Sequence, residues 1–267
     1  PTMNDRAKQA LVKLALEPQW EAKCEATSYG FRPGKSAHDA IRGVWNVLYR
    51  AERWILDADI EKCFDRIDHD KLISKLELPK DSILEKQIYA WLKAGILEVG
   101  QAFPKEPERG TPQGGVISPL LANIALDGIM EKAAKKVASK FGKQAAYKYM
   151  HIYRYADDFV VTAPKEEHIV TALQGIEEFL VDVGLNISKK KTKILNTIDK
   201  NKCQDGNNSF HFLGMNFCQY PIKSKYKMVS INKTSKTNIK LIVTPSDKSI
   251  NNHFTKVRHR IKTSTSS

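Results

Sequence analysis

The sequence predicts an α+β fold in which an antiparallel sheet is covered on one face by helices. Three observations lead there. Apolar and polar residues alternate from Arg53 to about Ile60, and two further strand-like runs, Ile152 to Tyr155 and Phe159 to Ala163, are joined tightly around Ala156-Asp157-Asp158; a period of two suits half-buried strands. Elsewhere apolar residues recur at intervals of three and four, the helical period. The segments also follow in the order strand, helices, hairpin, helix, strand, and a tight hairpin joins antiparallel strands.

Taken in order, the first helix is expected from about Asp5 to Glu17, with Ala7, Ala10, Leu11 and Leu14 on one face and Pro18 ending it, since proline removes a donor and crowds the preceding turn. After the turn-rich Gly30-Phe31-Arg32-Pro33-Gly34, Ser36 can cap a second helix with Asp39 in the capping-box position. Ile41, Val44, Trp45 and Leu48 follow it at helical spacing. In the strand that comes next, Trp54, Leu56, Ala58 and Ile60 point one way and Ile55, Asp57 and Asp59 the other. Asp68 caps a helix containing Leu72, Ile73 and Leu76, and helical segments continue to about Gly100. The loop Arg109-Gly110-Thr111-Pro112-Gln113-Gly114-Gly115 leads to Ser118-Pro119, an N-cap with proline at the first helical position. That helix carries Leu120, Leu121, Ile124 and Ile129. Beyond the hairpin, Ile169, Leu173, Ile176, Leu180 and Val183 define a helix closed by Gly184. Two or more strands follow, including Phe210 to Phe217. Ser246 to Lys262 forms a last helix, whose stripe of Ile250, Phe254, Val257 and Ile261 one helix cannot bury by itself.

Composition narrows the class. A hydrophobic content of 42% and a charged content of 27% are ordinary for a globular protein. No apolar run approaches the roughly 20 residues of a bilayer span, and the first residues lack the layout of an export signal. Cys24, Cys63, Cys203 and Cys218 are scattered without a C-x-x-C pair, which suits reduced thiols in a cytoplasmic protein. His69, His151 and His211 lack metal-ligand spacing and are assigned no chemistry. The net charge is +13, yet residues 185–267 hold 17 Lys+Arg against 3 Asp+Glu, so the last third carries the excess. A folded basic region of this kind suits a polyanion such as nucleic acid.

Two acidic signals carry the chemistry. Asp57 and Asp59 lie on the polar side of a strand, and Asp157-Asp158 sit at the hairpin tip. Aspartate at a turn is common, but adjacent carboxylates repel, and a divalent cation is an economical compensation. If strand and hairpin meet, three carboxylates converge although 98 positions separate Asp59 from Asp157. Such a patch can hold two Mg²⁺ ions about 3.5–4 Å apart for in-line phosphoryl transfer.

These residues resemble a known family. Tyr155-Ala156-Asp157-Asp158 matches the Y-A-D-D box of reverse transcriptases, and Ala58-Asp59-Ile60-Glu61-Lys62-Cys63-Phe64-Asp65 resembles their first catalytic block. Gln113 to Ile124 is similar to the block preceding the palm helix. Ser28 to Gly34 and Phe212-Leu213-Gly214-Met215 are similar to the fingers block and the primer-grip hairpin, with Gly184-Leu185-Asn186-Ile187 and Lys191-Thr192 between palm and grip. The wording of the blocks resembles group II intron reverse transcriptases rather than retroviral ones.

The resemblance implies a right-hand polymerase fold: an antiparallel palm sheet, partial fingers and a truncated helical thumb. It implies fingers over 1–52 and 68–117, palm over 53–67 and 118–240 with the grip hairpin, and the start of a thumb over 241–267. An arginine-containing fingertip would precede Pro1 and further thumb helices would follow Ile261, so the chain would be a fragment or a degenerate open reading frame, inactive by itself if the fingertip is needed. By the same resemblance Asp59, Asp157 and Asp158 are catalytic metal ligands, with Ile60 beside them in metal and dNTP binding and Asp57 an accessory. Phe64 becomes a gate on the incoming sugar, Gln113 a nucleotide contact, and Phe212, Leu213 and Gly214 the primer grip. Lys191, Lys256, Arg258 and Arg260 become candidate nucleic-acid contacts. The expected cofactor is Mg²⁺, with Mn²⁺ able to replace it. The expected partners are RNA template, DNA primer, dNTPs and a group II intron RNA, the last through a maturase role in splicing, in a bacterial cytoplasm without a membrane. Gly30 and Gly34 read as turn glycines, Phe64 has ordinary core as its alternative, and Lys189-Lys190-Lys191 is otherwise a solvated run. Two rival readings stay open: an RNA-binding splicing factor without polymerisation, which the intact aspartates disfavour and the absent fingertip favours, and a nucleotide cyclase, which the Gln113 block and basic last third fit poorly.

Overall fold

The computed structural model describes residues 2–49, 51–94, 110, 115–203, 205–222 and 239–264. Strands β1 (Trp54–Asp59), β2 (His151–Tyr155), β3 (Asp158–Ala163) and β4 (Lys193–Asn196) form an antiparallel sheet in the order β2-β3-β1-β4. A second antiparallel sheet joins β5 (Phe210–Phe212), β6 (Met215–Pro221) and β7 (Ile239–Pro245) in that order. The expected α+β class and antiparallel pairing are both present.

The first sheet is covered on both faces, not one. Leu56, Ala58, Phe159, Val161 and Ala163 belong to the larger core, which includes α6 (Ser118–Leu126), α7 (Ile129–Phe141) and α8 (Glu166–Asp182). On the other face Ile55, Tyr153, Val160 and Leu195 meet Ala40, Val44 and Leu48 of α2 (Ala37–Leu48), together with Phe210, Phe212 and Phe217 of the second sheet. The second face looked polar only because of Asp57 and Asp59, which stand at the end of β1 nearest the hairpin tip; the rest of that face is apolar and needs a cover.

The helices correct several expectations. Helix α1 runs Met3–Lys23, begins at Thr2 with a capping box to Asp5, and passes through Pro18. Leu14, whose carbonyl would have taken the missing N–H, is 67% exposed, so water can satisfy that carbonyl and proline need not stop the helix. The expected apolar face is also displaced: Leu11 is exposed, whereas Gln9, Leu16 and Trp20 are buried. Buried Gln9 keeps a partner, since its Oε1 accepts from Val116 N at 2.8 Å. Helix α2 begins at Ser36 with the Asp39 capping box, as expected. After α3 (Cys63–Arg66), Asp68 caps α4 (His69–Lys75), and α5 (Ile83–Lys93) follows. Ile117 rather than Ser118 is the N-cap of α6, and Ile129 starts α7 instead of continuing α6. The last helix, α9 (Asp247–Ser264), leaves Ile250, Phe254 and Val257 exposed. Among the described residues no helix is long and apolar enough to cross a membrane.

Candidate active site

Strand pairing brings the two acidic signals together. In the β1–β3 register Asp59 lies directly opposite Asp158, and directly opposed residues place their Cβ atoms about 5 Å apart. The N–H of Ile60 donates to the carbonyl of Asp157 at 3.3 Å, fixing the hairpin tip against the end of β1. The side chain of Ile60 is buried in the core, so only its main chain is available to a ligand. From the other side, Ser188 N donates to the carbonyl of Asp59 at 2.9 Å and Glu61 N to that of Asn186 at 2.9 Å. The backbone thus sets the end of β1 that carries Asp59 beside the turn that carries Asp157 and Asp158.

The turn carrying Asp157 is clamped from behind. Ala156 adopts φ 58°, a left-handed conformation that a residue with a Cβ holds only when its surroundings impose it. Gly30 lies so close that a Cβ on it would stand 2.3 Å from Ala156 N. This glycine is required by close approach, not by a turn, and its carbonyl accepts from Asn123 Nδ2 at 2.7 Å. Fully buried Arg154 donates through Nη1 to the Ala156 carbonyl at 3.1 Å and to Asn123 Oδ1 at 3.2 Å. Four of the six described non-glycine residues with positive φ (Phe31, Lys62, Ala156 and Leu213) surround this end of the sheet, the kind of clustering that strained backbone shows at functional sites.

Electrostatics follow from that geometry. Burial first, then the charges of Asp59 and Asp157, push the Asp158 carboxyl up to about 6, opposed by a backbone hydrogen bond from Leu213 and by the Lys191 ammonium. Burial and then Asp158 push Asp57 up to about 7. Asp157 is also raised, mainly by burial. Lys191 Nζ donates to Asp59 Oδ2 in a short ion pair, and that contact raises the lysine. The cluster thus draws a cation to itself, and its donors are all carboxylate oxygens, the set that hard divalent cations prefer. Among the described residues no three such side chains stand close enough to share one ion.

An aromatic arc borders the carboxylates. Phe31 meets Phe64 edge-on, with centroids 6.2 Å apart, and Tyr155 at 6.4 Å. Phe64 is half-buried against the core. Sequence reasoning took Phe31 for part of a turn and did not single it out; its φ of 58° swings the ring to the site, and no local pattern announces that. Arg32 from the same block turns away, pairing with Glu21 Oε1 at 2.6 Å. Gln113 lies outside the described residues. On either side of it, His69 Nε2 donates to the Gly110 carbonyl at 2.6 Å and Val116 is held by Gln9. The β5–β6 turn, Leu213-Gly214, reaches the site through Leu213 N–H and is tied to α9, where Ser249 Oγ donates to the Gly214 carbonyl at 3.0 Å. Lys256, Arg258 and Arg260 lie on α9, exposed and outside this cluster.

Comparison with known proteins fits the arrangement. The profile of the family described as reverse transcriptase (RNA-dependent DNA polymerase) matches residues 1–217. The chain is 35% identical over 196 residues to the group II intron-encoded protein LtrA of Lactococcus lactis subsp. cremoris, covering 73% of this chain and 32% of that protein. It is 31% identical over 244 residues to protein YkfC of Escherichia coli (strain K12), covering 80% of this chain and 61% of that one. The chain therefore spans about a third to three fifths of these relatives. Among solved structures, apo telomerase from Candida tropicalis, truncated from its C-terminal domain, superposes with a TM-score of 0.56 at 14% identity, covering 78% of this chain and 43% of that one. At that identity the likeness shows the fold alone, the right-hand polymerase fold built on an antiparallel sheet.

Proposed function

Because this chain belongs to the reverse transcriptase (RNA-dependent DNA polymerase) family, we propose that the protein it represents extends a DNA primer on an RNA template. The observation that carries this reading is the meeting of Asp59, Asp157 and Asp158 at paired strand ends. These residues, with the main chain of Ile60, would hold two Mg²⁺ or Mn²⁺ ions once Lys191 leaves Asp59. Bound there, the metals would lower the pKa of the primer 3′-hydroxyl and offset charge on the departing pyrophosphate. The chain's own contribution is positional. Gly30, Arg154 and Ile60 hold the Asp157 turn, and Asp57 sits behind the cluster as an accessory carboxyl.

Phe64, backed by Phe31, is proposed to crowd the 2′ position of the incoming sugar, with Gln113 contacting the nucleotide. Phe212, Leu213 and Gly214 would grip the primer terminus, while Lys191, Lys256, Arg258 and Arg260 meet nucleic-acid phosphates. The proposed division is fingers over 1–52 and 68–117, palm over 53–67 and 118–240, and thumb from 241. Similarity to LtrA supports a group II intron RNA as partner and a maturase role.

The test is Asp157→Asn in the full-length protein, assayed on poly(rA)·oligo(dT) with dTTP. Extension should fall by about a thousandfold or more, because ligand charge is lost, while RNA affinity and melting temperature hold, because a turn accepts Asn about as well as Asp. Extension within tenfold of the parent would overturn the assignment.

A further inference from the structure

We propose that the end of the palm sheet remote from the carboxylates carries a second polynucleotide-binding surface, a platform of exposed tyrosines and lysines that takes unpaired nucleotides separately from a primer–template. The first sign is charge. Residues 132–156 contain six lysines and one arginine and no aspartate or glutamate. The near-neutral total of the first 184 residues conceals this segment. Within it Lys135 pairs with Glu131 and Lys136 with Glu178, and Arg154 is buried behind the catalytic turn. Lys140, Lys143 and Lys148 are exposed and have no ion-pair partner among the described residues.

Local geometry then presents rings among these charges. Residues Ala145–Tyr149 form a π-helical turn, and Met150 N closes it on the Ala145 carbonyl at 3.1 Å. The wide turn buries Ala145, Ala146 and Met150, so the three residues between, Tyr147, Lys148 and Tyr149, all face water. Tyr147 is 58% and Tyr149 40% exposed. Lys148 lies over the Tyr149 ring at 5.4 Å, and Lys140 over Phe141 at 5.3 Å. Arg53 donates to the Tyr149 carbonyl at 3.0 Å, joining this turn to the segment that follows α2. The end of α2 carries another exposed pair, Trp45 and Tyr49, stacked at 4.7 Å.

Exposed rings interleaved with cations, in a segment whose neighbouring acids Glu131 and Glu178 are already paired with Lys135 and Lys136, suit a ligand with both phosphates and free base faces. A duplex offers the phosphates but hides its bases, whereas an unpaired strand offers both. An acidic protein would match the lysines and leave the tyrosines without a reason. The surface is also separate from the site already described. Strand β2 leads from Met150 to the catalytic turn, so at about 3.3 Å per residue Tyr149 lies roughly 20 Å from that turn.

The experiment measures fluorescence anisotropy of labelled 12-mers, oligo(U) and oligo(dT), on the full chain with primer–template present in excess. Lys140→Gln with Lys143→Gln and Lys148→Gln should weaken binding about tenfold and reduce the slope of log K against log salt by about two, given about 0.7 per phosphate on single strands. Tyr147→Leu with Tyr149→Leu should weaken it about tenfold with the slope unchanged, since stacking carries no counterions. Excess primer–template should not displace the oligomer, and Asp157→Asn should leave its binding intact whether or not the chain polymerises. Preference for oligo(U) over oligo(dT) would assign the platform to RNA, and parity to unpaired strands of either kind. The proposal is overturned if Lys8→Gln with Lys80→Gln and Lys165→Gln weakens binding equally, or if primer–template displaces the oligomer. It is equally overturned if the platform variants leave both oligomers bound and instead change self-association.

Discussion

Two hairpin tips reach the same site and are held there in different ways. The β2–β3 tip, with Asp157, is fixed by backbone: Ile60 N on the Asp157 carbonyl, Gly30 against Ala156 N, and a buried arginine on the Ala156 carbonyl. The β5–β6 tip, Leu213-Gly214, is steadied by a serine hydroxyl on the Gly214 carbonyl and by Ser246 N on the same oxygen at 2.8 Å. The first belongs to the large core and the second to a three-stranded sheet whose outer strand, β7, is only partly covered. Under the proposed roles, the first tip would place reacting charge and tolerate little displacement, whereas the second would grip a polymer and could give by some tenths of an ångström.

The sharpest way to break the comparison is Gly30→Ala. The new methyl would meet backbone, Ala156 N at 2.3 Å and the Tyr155 carbonyl carbon at 3.0 Å, so the Asp157 turn must shift. A misplacement of about 1 Å can cost on the order of a hundredfold in rate. Extension should fall by that much, with RNA affinity retained in the fraction that folds. Extension within threefold of the parent would show that the clamp does not set the carboxylates.

Phe64→Val probes the ring that stands beside the rigid tip. If Phe64 crowds the sugar, the kcat/KM ratio of dTTP to UTP should drop about tenfold, equivalent to about 1.4 kcal/mol. If Phe64 only packs the core, both substrates should lose rate together and the melting temperature should fall. An unchanged ratio would retire the gate.

The rigid tip was the more legible of the two, and the reason is physical. Asp59 and Asp158 sit in strands whose alternation specifies which face each residue takes, and Asp157 lies in the tight turn beside them, so bringing the three segments together needed only the pairing of β1 with β3. Phe31 and Tyr155 were not legible as a pair, because their approach depends on a positive φ at Phe31 and on Gly30 touching a residue 126 positions away. The buried face of α1 was misread for a similar reason. Gln9 is inside because Val116 N, far along the chain, satisfies it, and local periodicity carries no record of such a partner. Lys191 stands out of its run in the sequence only as a candidate nucleic-acid contact, and the tertiary fold alone sets it on Asp59. The basic segment 132–156 is present in the sequence, but acidic residues elsewhere in the first 184 offset its charge.

Titration extends the comparison to the charges. Asp57 and Asp158 are raised to about 7 and about 6 from a usual 3.8. Between about pH 4 and 7 the folded state then binds more protons than the unfolded one, so stability falls as pH rises through that window and levels off above it. Without divalent metal, melting temperature should decrease from pH 5 to pH 8 by roughly 5 °C, a few kcal/mol at this chain length. Adding Mg²⁺ at pH 8 should recover part of the loss, since cations that bind only the folded state stabilise it. Asp57→Asn should flatten the profile. A melting temperature independent of pH would mean that the carboxylates are better solvated than their burial implies.

The smallest effect is expected at the other tip. Gly214 adopts φ 78°, and a Cβ there would meet only Ser249 Oγ within 3 Å. Gly214→Ala therefore carries the left-handed penalty of about 1–2 kcal/mol, plus the rotation of one hydroxyl, which removes one of the two hydrogen bonds on the Gly214 carbonyl and leaves that of Ser246 N. Melting should drop by roughly 2–8 °C. The catalytic step should change little, because Ser249 can rotate away and the turn need not move Asp158. If this tip grips the primer, the expected signature is a KM for primer–template raised a few fold at nearly constant kcat, the pattern of lost uniform binding. Pairing the variant with Ser249→Ala separates the two components, since removal of the hydroxyl relieves the contact but not the backbone penalty. A fall in kcat as deep as that of Gly30→Ala would show that both tips hold the reacting geometry, and the distinction between a rigid tip and a yielding one would be lost.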